Sequence, residues 1–393
     1  MVRYTVGFMR CAVDAHAIGR HLTGNEVYIR NLLNAFAEEG TDWEWVAYVS
    51  GGEAKESLSP RIRTRKVAAN PFVRLGANLT SAVWRDQPDL LHVQYTAPLA
   101  CPVPVVVSVH DVSFIEHPEY FTRERAFQLQ WTVGRTVRLA ARVVTGSEFS
   151  KAAILKVYGD LDESKVTVVP NAASEEFRCI SHEAARRRVL ERFGLAEPFL
   201  LSVGDLQPRK NQIGLIQSYA RMLRAFPQFP HHLVLVGKES WFAGRVRQAA
   251  LDSGVADRIH FLGFVSDPEL LHLYNACDIF VFPSYYEGFG LPPLEAMACG
   301  RAVVCSSASA LPEVVDGAAL LFDPYSIDEM VRAMSDLLLD AELKARMERL
   351  GLQRASQFSW QRTAQKTLDV FHAVAERSRS LPRPARAAAV PQQ

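Results

Sequence analysis

Residues Ser284 to Gly300 read SYYEGFGLPPLEAMACG. The run just before them, Ile279-Phe280-Val281-Phe282, has the unbroken hydrophobicity of a strand buried on both faces of a parallel sheet. Gly288 and Gly290, two apart, let backbone pass close to a ligand with its N–H groups exposed. Proline at 292 and 293 suits the first turn of a helix. Leu294, Met297 and Ala298 fit its apolar side, and Gly300 its end. Strand, glycine loop and helix N-terminus, in that order, favour binding an anion, typically phosphate.

Glu287 lies in the loop and Glu295 in the first turns of the helix, so they are not two members of one helical stripe. Both can face the crevice above the strand's carboxyl end, where open α/β sheets bind ligands. Beside a phosphate a carboxylate is repelled, so these two make more sense as acceptors for sugar hydroxyls. An acidic first turn that merely favours the helix is the bland reading of Glu295. Upstream, Arg209-Lys210-Asn211 follows the strand-like Pro198–Val203. Two cations at a strand-to-helix turn can neutralise a diphosphate, Arg bidentately and Lys as a point charge. An Arg-Lys pair is otherwise ordinary surface.

The same alternation of strand and helix runs through the whole chain, which predicts α/β architecture with parallel sheets. Strands are expected near 5–13, 45–49, 90–94, 105–109, 142–145 and 166–169. They start again at 198–203, 232–236, 259–261, 279–282, 302–305 and 319–322. Helices are expected between them, among them Phe72–Arg85, 293–299 and 341–348. A hinge is expected between Pro170 and Pro198. This divides the chain into residues 1–180 and 181–359, with an amphipathic helix over 360–376 and an Arg/Ser/Pro/Ala-rich tail, 377–393, expected to be disordered.

At 393 residues the chain has room for two cores. A net charge of +1, from 44 basic and 43 acidic residues, gives no global field for nucleic acid. Six cysteines with no CxxC spacing fit reduced thiols in a cytoplasmic protein. Neither a signal-peptide core nor a run of the ~20 apolar residues that span a bilayer is present in the sequence.

In the first half, Gly19 and Gly24 bracket a loop after strand one that is not GxGxxG, which argues against a dinucleotide dehydrogenase. Asp14 ends that strand, and His110 follows the Val105–Val109 run, in the right place to face the cleft. A satisfied structural histidine, oriented by Asp111, is the alternative. The helix around Arg123, Arg125, Arg135, Arg138 and Arg142 is basic, with Phe127, Leu129 and Trp131 interleaved. A solvated face is its bland reading, and peripheral contact with anionic lipid the sharper one.

The EGFGLPPLEAMA string resembles the retaining family-4 glycosyltransferases of the GT-B fold, whose signature is Glu, seven residues, Glu. The resemblance covers the chain to about residue 376, most densely over 199–215 and 279–324. It implies two facing Rossmann-like domains with a cleft between them and a C-terminal helix that crosses back onto the first. It implies that the first domain binds acceptor and the second a nucleotide diphosphate sugar, with no further cofactor. Glu287 would lie near the transferred sugar and Glu295 on the ribose. Arg209 and Lys210 would hold the diphosphate with the loop Gly288, Phe289, Gly290 and Leu291. Gly19 and Gly24 would approach the donor phosphates, His110 the transferred sugar and Asp14 the acceptor. Glu313 belongs to a recurrent family string that supports the donor pocket, or plays a packing or capping role. Asp205 stands where other members place an arginine, and Ala172 where they place the glycine of a VPNG stretch.

The other large glycosyltransferase fold binds manganese through a DxD. Here Asp160-Leu161-Asp162 sits in a polar turn, so no metal is expected. The resemblance implies hexose transfer to a saccharide or lipid-linked glycan, with front-face chemistry that needs no protein nucleophile. The PRKN and SALPEV strings look most like mannosyltransferases, so GDP-mannose is the first donor and UDP-glucose the second. A GT-B-type nucleotide-sugar epimerase and a non-catalytic nucleotide-sugar-binding protein are the rival readings.

Overall fold

The computed structural model describes residues 9–20, 23–51 and 56–380. Among them two parallel sheets follow one another along the chain. The first holds β1 (Met9–Asp14), β2 (Trp43–Val49), β3 (Arg63–Lys66), β4 (Leu90–Gln94), β5 (Val105–Ser108), β6 (Arg142–Thr145) and β7 (Val166–Val168). Their order across the sheet is β3-β2-β1-β4-β5-β6-β7. The second holds β8 (Phe199–Val203), β9 (His232–Val236), β10 (Ile259–Gly263), β11 (Ile279–Phe282), β12 (Val303–Ser306) and β13 (Leu320–Phe322), ordered β10-β9-β8-β11-β12-β13. These are the two Rossmann-like domains that the alternation predicts.

Strand order reverses beside the first strand of each sheet, between β1 and β4 and between β8 and β11. Neighbouring crossovers leave in opposite directions there and open a crevice at the carboxyl ends. Asp14 ends β1 and Gln94 ends β4. In the second sheet the loop after β8 carries Arg209 and Lys210, and the loop after β11 carries Glu287.

The apolar strands of each sheet are buried on both faces, as their sequences require. Cys11 and Val13 enter one core cluster and Ala12 the other. Phe280 and Phe282 enter one, Ile279 and Val281 the other. The helix Trp360–Ser380 returns to the first sheet, where Trp360, Leu368 and Phe371 share a cluster with Phe36, Trp43 and Trp45. Phe36 and Trp45 stack with ring centroids 4.5 Å apart.

Several departures from the sequence expectations have local causes. The edge strand β3 (RTRK) is missed because it has no apolar alternation. It is held by backbone pairing to β2 and by Arg63 and Arg65 on Glu44 and Asp86. The helix expected at Phe72–Arg85 is broken into Pro71–Val73, a π-turn Arg74–Asn78 and Leu79–Asp86. Helix formation over 291–298 starts at Leu291, because Gly290 at φ 111° can cap it where a side chain could not. The last helix runs on to Ser380, past the expected tail start at 377. Residues 5–8 of the expected first strand and 381–393 of the tail lie outside the described residues.

Candidate active site

Arg209 and Lys210 occupy a 3-10 turn, Pro208–Lys210, that ends at Asn211 in the left-handed region (φ 53°). The Asn211 side chain caps the next helix, accepting from Gly214 N–H, and donates to the Pro324 carbonyl. This fixes both cations over the crevice. Asp205 braces the same turn by accepting from Lys238 N–H at 3.0 Å.

Both cations meet Glu287. Lys210 Nζ is 2.6 Å from Oε1, and Arg209 Nη1 is 2.8 Å from Oε2 and 3.1 Å from the Tyr286 carbonyl. Burial would raise the Glu287 pKa, but Arg209 and then Lys210 outweigh it and hold it down at about 2. Burial likewise lowers Lys210, and Arg209 is raised by Glu287 against its own burial. Two cations share the one carboxylate of Glu287, with Asp111 and Asp205 acting on them from further off. A leaving diphosphate needs cations beside it as its own negative charge grows.

Glu295, on the helix Leu291–Ala298, is 6% exposed and accepts a 2.8 Å hydrogen bond from Tyr274 Oη. Burial pushes its pKa up to about 7, against the Tyr274 bond. One oxygen is thus anchored and the group titrates near neutrality. Tyr274 carried no signal in the sequence, being one apolar-looking position of the helix Asp267–Ala276.

The glycine loop does more than admit a ligand. A Cβ on Gly288 would lie 1.9 Å from the His110 carbonyl oxygen of the first domain. The Gly288 carbonyl accepts from Ser147 Oγ at 2.7 Å and Ser150 Oγ at 3.0 Å. Phe289 turns its ring into a small core with Leu294 and Val314, so it offers a ligand only backbone. Gly290 caps the helix that begins at Leu291. Glu313 reaches the first domain, where its carboxylate accepts from Glu148 and Phe149 N–H at 2.9 and 3.2 Å. That is a helix N-cap made from another domain. Tyr286 Oη donates to Glu116 at 2.9 Å, and Arg30 pairs with Asp267 at 2.6 Å. A cleft of about 510 Å³ at this junction is bordered by Glu116, His117, Lys156, Tyr286 and Ser309. Ser309 Oγ accepts from Glu287 N–H.

On the first-domain side, His110 Nε2 donates to Gln94 Oε1 at 2.9 Å, leaving Nδ1 as the acceptor nitrogen. Gln94, not Asp111, orients it. Asp111 instead accepts from Ser113 N–H and Oγ. Burial holds the imidazole down at about 4, so it is neutral at pH 7. Tyr28 packs edge-on at 4.5 Å. Asp14 is 2% exposed and faces His16 Nδ1 at 3.1 Å and Arg74 Nε at 3.5 Å. Gly19 has φ 74° and donates to Glu26, whereas Gly24 stands in open space inside the helix Thr23–Glu39.

The structure thus joins Glu287, Arg209 and Lys210 in one network, sets His110 behind Gly288, and leaves Asp14 in a separate cluster. Asp160 pairs with Arg138 and Asp162 caps the turn Glu163–Lys165. Among the described residues no three His, Cys, Asp or Glu side chains gather as metal ligands, and no helix is long and apolar enough to cross a membrane.

Residues 22–177 match the family model described as Glycosyltransferase Family 4, and residues 187–354 the one described as Glycosyl transferases group 1. The chain is 33% identical over 267 residues to O-antigen chain mannosyltransferase B of Escherichia coli, covering 68% of this chain and 69% of that one. It is 36% identical over 217 residues to the serotype-specific mannosyltransferase WbdA of Escherichia coli, over 54% of this chain and 26% of the relative. It therefore spans about a quarter of that second protein. Its fold resembles sucrose-phosphate synthase from Thermosynechococcus elongatus, with TM-score 0.78 at 20% identity over 94% of this chain and 100% of that chain. Two domain-sized matches, one for each Rossmann-like unit, and a one-third identical relative place the chain in the group 1, family-4 glycosyltransferases, with the GT-B fold.

Proposed function

We propose that this glycosyltransferase moves mannose from GDP-mannose, with retention and without a metal ion, to a hydroxyl of a saccharide or lipid-linked glycan. The mannosyl donor is suggested by the relatives named mannosyltransferases. The observation that carries the reading is the Arg209–Glu287–Lys210 network at the second switch point. The diphosphate lies against Arg209, Lys210 and the loop N–H groups, and Glu295 accepts from the ribose. The bond from sugar C1 to phosphate oxygen breaks with its electron pair going to phosphate. The acceptor oxygen bonds to C1 on the same face, and its proton passes to the departing phosphate oxygen. Glu287 is a poor nucleophile because a cation holds each of its oxygens. It orients the two cations and accepts from sugar hydroxyls with its remaining lone pairs. His110, neutral, contacts the sugar.

The acceptor belongs to the first domain. There the helix Arg123–Leu139 exposes Phe127 and Trp131 beside its arginines, a face suited to peripheral contact with anionic lipid. The test of the whole reading is Glu287→Gln. It should retain a GDP-mannose-dependent rise in melting temperature and lose transfer by about 100-fold or more. Wild-type transfer by that variant would overturn the assignment.

A further inference from the structure

Arg74 is among the least exposed charged residues of the first domain, at 5%, and the structure gives it little to bind. It opens the π-turn Arg74–Asn78 and points at the carboxyl end of β1. There its Nε stands 3.5 Å from Asp14 Oδ2, too poorly aligned for a hydrogen bond. The other Asp14 oxygen is occupied by His16, through its backbone N–H and Nδ1. Among the described residues the Arg74 side chain donates no hydrogen bond. Its Nε is enclosed without a hydrogen-bond partner, where a buried donor is expected to have one. A second cation lies close. The charge of Arg20 reaches Arg74, while Arg20 Nη1 donates to the Ala69 carbonyl. The place is the first domain's switch point, between β1 and β4, where an α/β sheet takes its ligand.

We infer that the Arg74 guanidinium, backed by Asp14, is a subsite for an anionic group, a phosphate or carboxylate, carried by the acceptor. This rests on the reading above that the first domain holds the acceptor. A planar fork whose Nη groups make no hydrogen bond to protein matches such groups bidentately, which a point charge does not. Asp14 keeps the buried cation tolerable and sets its orientation. Such an anion can be carried by a lipid or by a free sugar phosphate, and the two are separated by the arms of the test below.

The test is a titration of the full chain with inorganic phosphate, read by thermal shift against chloride at matched ionic strength. The second-domain site is filled first with whichever of GDP or UDP raises the melting temperature. A parallel arm measures binding to phosphatidylcholine vesicles with and without phosphatidic acid. Arg74→Met should weaken phosphate binding by about tenfold or more, and Arg74→Lys by a few-fold, because it keeps the charge and loses the fork. A response to phosphatidic acid vesicles alone that still needs Arg74 supports the subsite and makes the anion lipid-borne. Should Arg74→Met fail to fold, Arg74→Lys decides by the same readout. Equal binding by wild type and the folded variants in both arms overturns the inference. If neither nucleotide binds, the donor reading fails, while the Arg74 dependence of phosphate binding is still read directly.

Discussion

Glu287 and Glu295 belong to one short motif, and their surroundings drive them in opposite directions. Both are buried, but only Glu287 has cations within contact distance, so it falls to about 2 while Glu295 rises to about 7. The seven-residue spacing is legible in the sequence. The split is not, because Tyr274, Arg209 and Lys210 come from distant segments. The depressed Glu287 contributes stability that is present above the ordinary glutamate pKa, about 4.3, and is lost as pH falls through that value toward 2. Raised Glu295 does the reverse. The folded state binds its proton more tightly, so stability declines as pH climbs from about 4.3 to 7. Glu295→Gln should therefore melt higher than wild type near pH 8 and show little difference near pH 4. Donor affinity should move the other way in wild type, weakening below about pH 7 as the carboxylate proposed to accept ribose hydroxyls is protonated. Michaelis constants for the donor across that range check this. Tyr274→Phe removes the bond that opposes the rise, so its midpoint should lie higher than wild type's.

At the scale of elements, the loop 287–290 shows what a glycine motif leaves unsaid. The pattern promises close approach to a ligand, yet the measured close approach at Gly288 is to the His110 carbonyl of the other domain. Gly288→Ala should therefore push the domains apart at the site and lower kcat by about 100-fold, as misplacement on the 1 Å scale does, with donor binding largely kept. A variant with wild-type kcat would show that the junction is looser than this. The C-terminal helix was legible from its amphipathic pattern, and its return to the first domain only through the family resemblance. Phe371 is fully buried against Phe36 and Trp43. Phe371→Ala should cost about 3–5 kcal/mol, read from the midpoint of urea unfolding. The strand β3 and the break at Arg74 were not legible. Charge hides the first, and a buried arginine looks like any surface arginine in a sequence.

Over the whole molecule, parallel strands alternating with helices were enough to anticipate two sheets. The closed junction between them was not, because its contacts join single residues far apart in the chain. Glu313 caps the helix Glu148–Val157, Tyr286 binds Glu116, and Arg30 pairs with Asp267. Glu313→Ala should open the molecule, seen as a larger radius of gyration by small-angle scattering, with transfer reduced by about tenfold through poorer alignment of donor and acceptor. Arg209, Lys210 and Glu287 are proposed to form the diphosphate site of a metal-free sugar transferase. This is tested most directly by thermal shift and donor hydrolysis with GDP- and UDP-sugars, with and without EDTA, on wild type and Lys210→Met. A GDP-mannose shift is expected that survives EDTA and is largely lost in Lys210→Met. A shift abolished by EDTA, or one indifferent to Lys210, would contradict that assignment.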